Sequence, residues 1–156
     1  MKLLIVAMAN SIHTARWLSL INDQGWDLHL FPVDYFTQIH PQIRGLKNIK
    51  IHSPIYLRAL IEKIKQKSKL VDYENIEDTY LSLMESYQSS NVKYIVKKFF
   101  PINYEKELYN TVKRVKPDII HSKHIQAAAY TTLAVKKRIS GNFPKWIVSN
   151  WGSELN

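Results

Sequence analysis

Three short polar stretches hold the residues able to do chemistry. The first is Ala9-Asn10-Ser11-Ile12-His13-Thr14-Ala15-Arg16-Trp17. The second is His121-Ser122-Lys123-His124-Ile125-Gln126, and the third is Ser149-Asn150-Trp151-Gly152-Ser153-Glu154. Together they offer imidazoles, an Arg, a Lys, a carboxylate, amides and hydroxyls. Imidazoles exchange protons near neutral pH and hydrogen-bond to hydroxyls. Arg and Lys grip phosphates and carboxylates. The set suits a hydroxylated or phosphorylated ligand. Each residue also has a packing reading, and taken singly that reading is the stronger one. His13 falls in a first helical turn, where it can cap or pack. Arg16 can pair on the surface with Asp23 or Glu154, and Trp17 reads as core. His121 closes a strand and can be a satisfied buried histidine. His121 and His124 are three apart, but a metal would need a third ligand, Glu154 or His13, and nothing in the spacing demands one. No metal site is expected.

The elements around these stretches lift the functional reading. Leu3 to Met8 is an unbroken apolar run, the pattern of a parallel strand buried on both faces. Asn10 or Ser11 can cap the helix that follows, whose apolar face is Ala15, Leu18, Leu20 and Ile21 and which ends at Gln24-Gly25. Asp27 to Val33 is a second strand, completing a βαβ unit. Asn48 to His52 is a short third strand, stopped by Ser53-Pro54. Asn103 to Lys116 is an amphipathic helix with Leu108, Tyr109, Val112 and Val115 inward and Lys113, Arg114 and Lys116 in its last turn. Pro117 to His121 is a strand, Ile125 to Ile139 a helix, and Lys145 to Ser149 a final strand. Alternation of this kind means an α/β fold, a Rossmann-like parallel sheet with helices on both faces. Ligands of such sheets bind beyond the carboxyl ends of the strands, where all three polar stretches fall.

Composition bounds the class. The chain has 156 residues, 46% hydrophobic and 22% charged, which is globular and not disordered. It has no cysteine, so disulfides, thiol nucleophiles and Cys-bound zinc are excluded. Its 4 glycines cannot build a Gly-rich phosphate loop of the usual kinds. The net charge of +9 points to anionic partners. The run Leu3 to Ala9 is far shorter than the ~20 residues that span a bilayer, and the protein is read as cytoplasmic. The middle differs in texture. Arg58, Lys63, Lys65, Lys67 and Lys69 decorate one segment, and Asp72, Glu74, Glu77, Asp78 and Glu85 the next. Residues 54-100 are read as a helical insertion with a basic and an acidic arm. The basic amphipathic arm, Leu57 to Lys69, is a candidate for an anionic membrane surface.

The quoted stretches resemble family 4 glycosyltransferases in that family's order. Leu3 to Val6, with Ser11-Ile12-His13-Thr14-Ala15-Arg16-Trp17 and Gly25-Trp26-Asp27-Leu28-His29-Leu30, is similar to the family's start. Lys116-Pro117-Asp118-Ile119-Ile120-His121-Ser122 is similar to its strand ending in histidine. Trp151-Gly152-Ser153-Glu154 resembles a Trp-Gly-Ser-Asp motif of one branch. The resemblance covers both ends of the chain and not the segment from about Ser53 to Ile102. Many members carry a second histidine two residues after the first. Here that position is Lys123, and His124 follows it.

The resemblance implies the N-terminal, acceptor-binding half of a GT-B enzyme, spanning residues 1-156. The donor-binding C-terminal domain would lie beyond Asn156. It implies a retaining glycosyltransferase, hexosyltransferase-like, that moves a sugar from a nucleotide-sugar donor to a polysaccharide or lipid-linked acceptor. No cofactor or metal is implied, and residues 1-156 alone are expected to be inactive. His121 and His124 are the expected catalytic pair. Asn10, Ser11, His13, Arg16, Lys123, Gln126, Trp151, Gly152, Ser153 and Glu154 are the expected substrate contacts. The expected partners are a sugar or lipid-linked acceptor, a nucleotide sugar held mainly by the second domain, and an anionic membrane surface at the inner face of the cell membrane. The rival reading is a basic nucleic-acid-binding or non-catalytic α/β module. Tyr94, Phe99, Phe100 and Tyr104 permit the nucleic-acid form, but no reading motif accompanies them and nucleic acid is not the expected partner.

Overall fold

The computed structural model describes residues 1–34, 39–52 and 103–150. Strand β1, Lys2–Ala7, lies at the centre of a five-stranded, all-parallel sheet. Helix α1, Ile12–Ile21, leads to β2, Asp27–Pro32, which pairs with β1. A short helix α2, Pro41–Arg44, precedes β3, Ile49–Ile51. After residues 53–102 come α3, Tyr104–Val115, and β4, Ile119–Lys123. A π-helical turn, Ile125–Ala129, runs into α4, Tyr130–Arg138, and β5, Lys145–Ser149, closes the order β3-β2-β1-β4-β5. This is the Rossmann-like α/β sheet that the alternation predicts.

The reasons are local. Leu4, Ile5, Val6 and Ala7 are fully buried because helices cover both faces of β1. Ser11, not Asn10, caps α1, its hydroxyl accepting the His13 N–H at 3.3 Å. Gly25 ends the turn after α1 at φ +69°, a backbone setting that only glycine takes without strain. Asn103 caps α3 by accepting the Lys106 N–H at 2.9 Å. Glu105 and Glu107 in its first turn and Lys113 and Arg114 in its last complement its dipole. Lys116 then takes a left-handed φ of 51°, and Pro117 prevents continuation.

The register divides the sheet into two faces. Leu3 and Ile5 of β1 share a face with Ile119 and His121 of β4, and Trp17 of α1 packs there against His121. Leu4 and Val6 share the other face with Ile120 and Ser122, where Ser122 meets Thr132 of α4. That second face is locked by a directed chain. Trp146 Nε1 donates to Ser122 Oγ at 2.9 Å, Ser122 meets Thr132 Oγ1 at 2.8 Å, and Thr132 donates to the Ala128 carbonyl at 2.8 Å. Because Thr132 spends its proton on Ala128, Ser122 must be the donor to Thr132. The chain fastens β5, β4 and the π-helical turn together.

Several expectations need correction. Leu20 is 75% exposed and so does not belong to the apolar face of α1, where Thr14, Ala15 and Leu18 are the buried residues. Tyr109 is only half-buried; Arg138 lies 4.8 Å and Lys113 5.8 Å from its ring centroid. Thr111 is buried in its stead. The helix expected over Ile125 to Ile139 begins as a π-helical turn and ends at Arg138. The insertion expected at 54-100 lies outside the described residues.

Candidate functional site

The polar stretches gather where the strands end. Ala7, Lys123 and Ser149 occupy the same level of β1, β4 and β5, so the loops after these strands share one carboxyl edge of the sheet. His121 is the centre of the described part. It is buried, and its Nε2 lies 2.6 Å from Ser149 Oγ. The indole of Trp17 meets its ring edge-on, with centroids 4.6 Å apart at 84°. Burial first, and the Lys123 charge second, push the imidazole down to about 4. At neutral pH it is an uncharged ring that can donate or accept a hydrogen bond, and it is a weak base.

Lys123 is the second feature. The side chain of this strand-end cation is buried, and its ammonium sits 4.4 Å from the centroid of Trp17. Burial lowers its amine to about 8. It therefore remains mostly protonated at pH 7. A cation already stripped of water by the protein meets an anion at little further desolvation cost.

His124 carries the third. Its φ is 122° and its ψ 127°, a setting that L residues rarely take. The strain is held by three contacts. Its N–H donates to the Ser149 carbonyl at 3.0 Å, its carbonyl accepts the Ala129 N–H at 3.0 Å, and its Nδ1 accepts the Ala127 N–H at 3.3 Å. These bonds link β4 and β5 to the π-helical turn at the rim, a helix form common at functional positions.

The remaining expected residues fall into two groups. Asn10, His13, Arg16 and Gln126 are exposed, and Ser11 is half-buried as a helix cap. His13 lies one turn before Trp17 on the same side of α1. Trp151, Gly152, Ser153 and Glu154 lie outside the described residues. Two further contributors stand at the ends of the polar stretches but outside the expected contacts. Trp17 reads as core but is a half-buried platform under Lys123 and beside His121. Ser149 reads as strand but holds His121. The available signal for Ser149 was its place at the carboxyl end of β5, level with Lys123.

Among the described residues no group of three or more His, Asp or Glu side chains is placed to hold a metal ion. Among them, too, no helix is long and apolar enough to cross a membrane. No protein-family model matches the chain, and no curated protein matches it.

Proposed function

We propose that this chain is the acceptor-binding half of a retaining glycosyltransferase that uses a nucleotide-sugar donor. The observation that carries the reading is the rim itself. A neutral buried imidazole bonded to a serine hydroxyl stands beside a buried ammonium, at the edge where parallel sheets bind ligands. His121 and Ser149 would hold an acceptor hydroxyl by hydrogen bonds. Lys123 would meet a phosphate or an acidic sugar, and His124 would close the rim. With so weak a base, His121 would orient the hydroxyl more than deprotonate it. The transition state of glycosyl transfer is oxocarbenium-like, so correct orientation of the incoming oxygen lowers the barrier. The family resemblance of the three polar stretches supplies the reaction class. It also assigns the donor chiefly to a second domain, with no metal or cofactor.

Lys113, Lys116, Lys136, Lys137, Arg138 and Lys145 are all exposed. They favour an anionic membrane surface as a further partner, which would bring the protein to the inner face of the cell membrane.

Saturation-transfer NMR against a panel of oligosaccharide and glycolipid acceptors tests the reading. The 156-residue chain is expected to bind an acceptor, to lose that binding in His121→Ala and Lys123→Ala, and not to turn over any nucleotide sugar. Acceptor binding indifferent to both substitutions would remove the site. Turnover by residues 1–156 alone would remove the two-domain reading.

A further inference from the structure

A second buried histidine system lies on the other face of the sheet. His29 sits in the middle of β2, and His52 directly follows β3. Both are buried. Their rings stack with centroids 5.0 Å apart at 16°, and His29 Nδ1 lies 2.8 Å from His52 Nε2. At the far end, Arg114 of α3 reaches His52 Nδ1 at 3.1 Å. At the near end, Asp27 Oδ1 lies 3.2 Å from His29 Nε2, and Lys50 holds the same oxygen at 2.9 Å. The Asp27 end is the looser one. Its distance is short, but no acceptor is aligned on His29 Nε2, so it counts as an electrostatic contact.

The Arg114 end fixes every proton. A guanidinium is always charged and only donates, so His52 Nδ1 must accept. His52 therefore carries its proton on Nε2 and donates to His29 Nδ1. His29 in turn carries its proton on Nε2, facing Asp27. The chain runs in one direction between a fixed cation and a carboxylate, and both rings are neutral. It has no room for another proton. A proton on His52 Nδ1 would face the Arg114 guanidinium at contact distance. A proton on His29 Nδ1 would face the N–H of His52. Either event deletes a bond of the chain.

Among the described residues, the charged groups around the pair include Arg114 of α3, Lys50 of β3 and Lys2 of β1, which oppose protonation, and Asp27 of β2, which favours it. Burial lowers the His29 imidazole further, and Asp27 only partly restores it.

The position gives the chain an output. His52 is the last residue before 53–102, and α3 is the first helix after that segment. We propose that Asp27, His29, His52 and Arg114 form a proton-released clasp, which ties the end of β3 to α3 at neutral pH and lets go on acidification. A clasp of this kind couples pH to the docking of the last turn of α3 against the end of β3.

Two-dimensional NMR of the histidine rings in the 156-residue chain, with amide hydrogen exchange, tests it. Above the transition, His52 is expected to be protonated on Nε2 and unprotonated on Nδ1. Across the transition, exchange at His52 N–H (bonded to Leu30) and Lys116 N–H (bonded to Val112) should rise with the same midpoint as the rings. Arg114→Met removes the opposing cation and should move that midpoint up. Asp27→Asn removes the favouring anion and should move it down. Both side chains reach the surface, so neither change threatens the fold, and the wild-type measurement needs no variant. Flat exchange while the rings titrate would overturn the clasp. So would midpoints that fail to move, or that move in the same direction, in the two variants.

Discussion

The two histidine systems share their depth and differ in what surrounds them. His121 lies two residues before the end of β4, on the α1 face of the sheet, with one hydroxyl partner, an aromatic platform and a cation beside it. His29 and His52 are linked to α3 through Arg114, and each ring nitrogen they turn toward the other or toward Arg114 is used within the protein. Burial depresses both His29 and His121. A shifted imidazole therefore does not by itself mark a ligand site. The face of the sheet it occupies, and whether hydrogen-bonding capacity is already consumed, separate a binding group from a structural one.

The strongest way to break that contrast is a pair of substitutions. His52→Leu leaves His29 Nδ1 buried without its donor and should cost about 2–3 kcal/mol in urea unfolding. His121→Phe keeps an aromatic ring against Trp17 and loses one bond to the half-buried Ser149, so about 1 kcal/mol is expected. Acceptor binding should behave in reverse, surviving in His52→Leu and failing in His121→Phe. Equal effects on both properties would dissolve the distinction.

The pH dependence sharpens it. The His121 imidazole falls from 6.5 in the unfolded chain to about 4 when folded. Between those values the unfolded state binds more protons, so stability is complete above about 6.5 and is lost as the pH falls towards 4. His29 acts in the same direction. Urea midpoints should therefore drop steadily below pH 6.5, and His121→Phe should remove part of the slope while leaving the part due to His29. A profile unchanged in His121→Phe would mean that the rim histidine does not titrate as its burial requires.

The sequence made the rim more legible than the clasp, for a physical reason. β1 is an apolar run, Asn103 precedes α3 as a cap, and Pro117 stops it; each is a short-range pattern read within a few residues. The apolar run between Lys145 and Ser149 likewise marks β5 at both ends. His121 is legible because Pro117 to His121 reads as a strand ending in histidine, although β4 runs from Ile119 on to Lys123. The His29–His52 contact joins residues 23 apart, and Arg114 reaches across 62, with no periodicity to announce either. Leu20 and Tyr109 were misplaced because helical spacing gives a stripe and not its edges, and tertiary packing decides which edge stays wet. Trp17 was assigned by residue type to the core. Only the arrival of Lys123 from β4, brought beside it by the sheet, shows that it is a platform.

His124 offers a smaller effect. Both His124→Gly and His124→Ala remove the Nδ1 contact with Ala127, but only glycine accepts φ 122° freely. The glycine variant should be the more stable of the two by about 1–2 kcal/mol in thermal unfolding. An alanine variant as stable as glycine would mean that the backbone relaxes and no strain is held at the rim.

The smallest effect belongs to Lys123, and it decides whether the rim binds or merely packs. In Lys123→Met, thioether contact with Trp17 replaces part of the cation–ring attraction, and no charge remains to be desolvated. Stability at pH 7 should change by less than about 1 kcal/mol, while affinity for a phosphate-bearing acceptor falls. Alkali adds an independent check. The folded amine titrates at about 8 and the unfolded one at 10.5, so between them the unfolded chain binds more protons and wild-type stability rises with pH. Lys123→Met should lose that rise. If the substitution instead unfolds the protein at pH 7, the ammonium is a structural cation held by the fold. The rim would then have no charge to spare for a ligand.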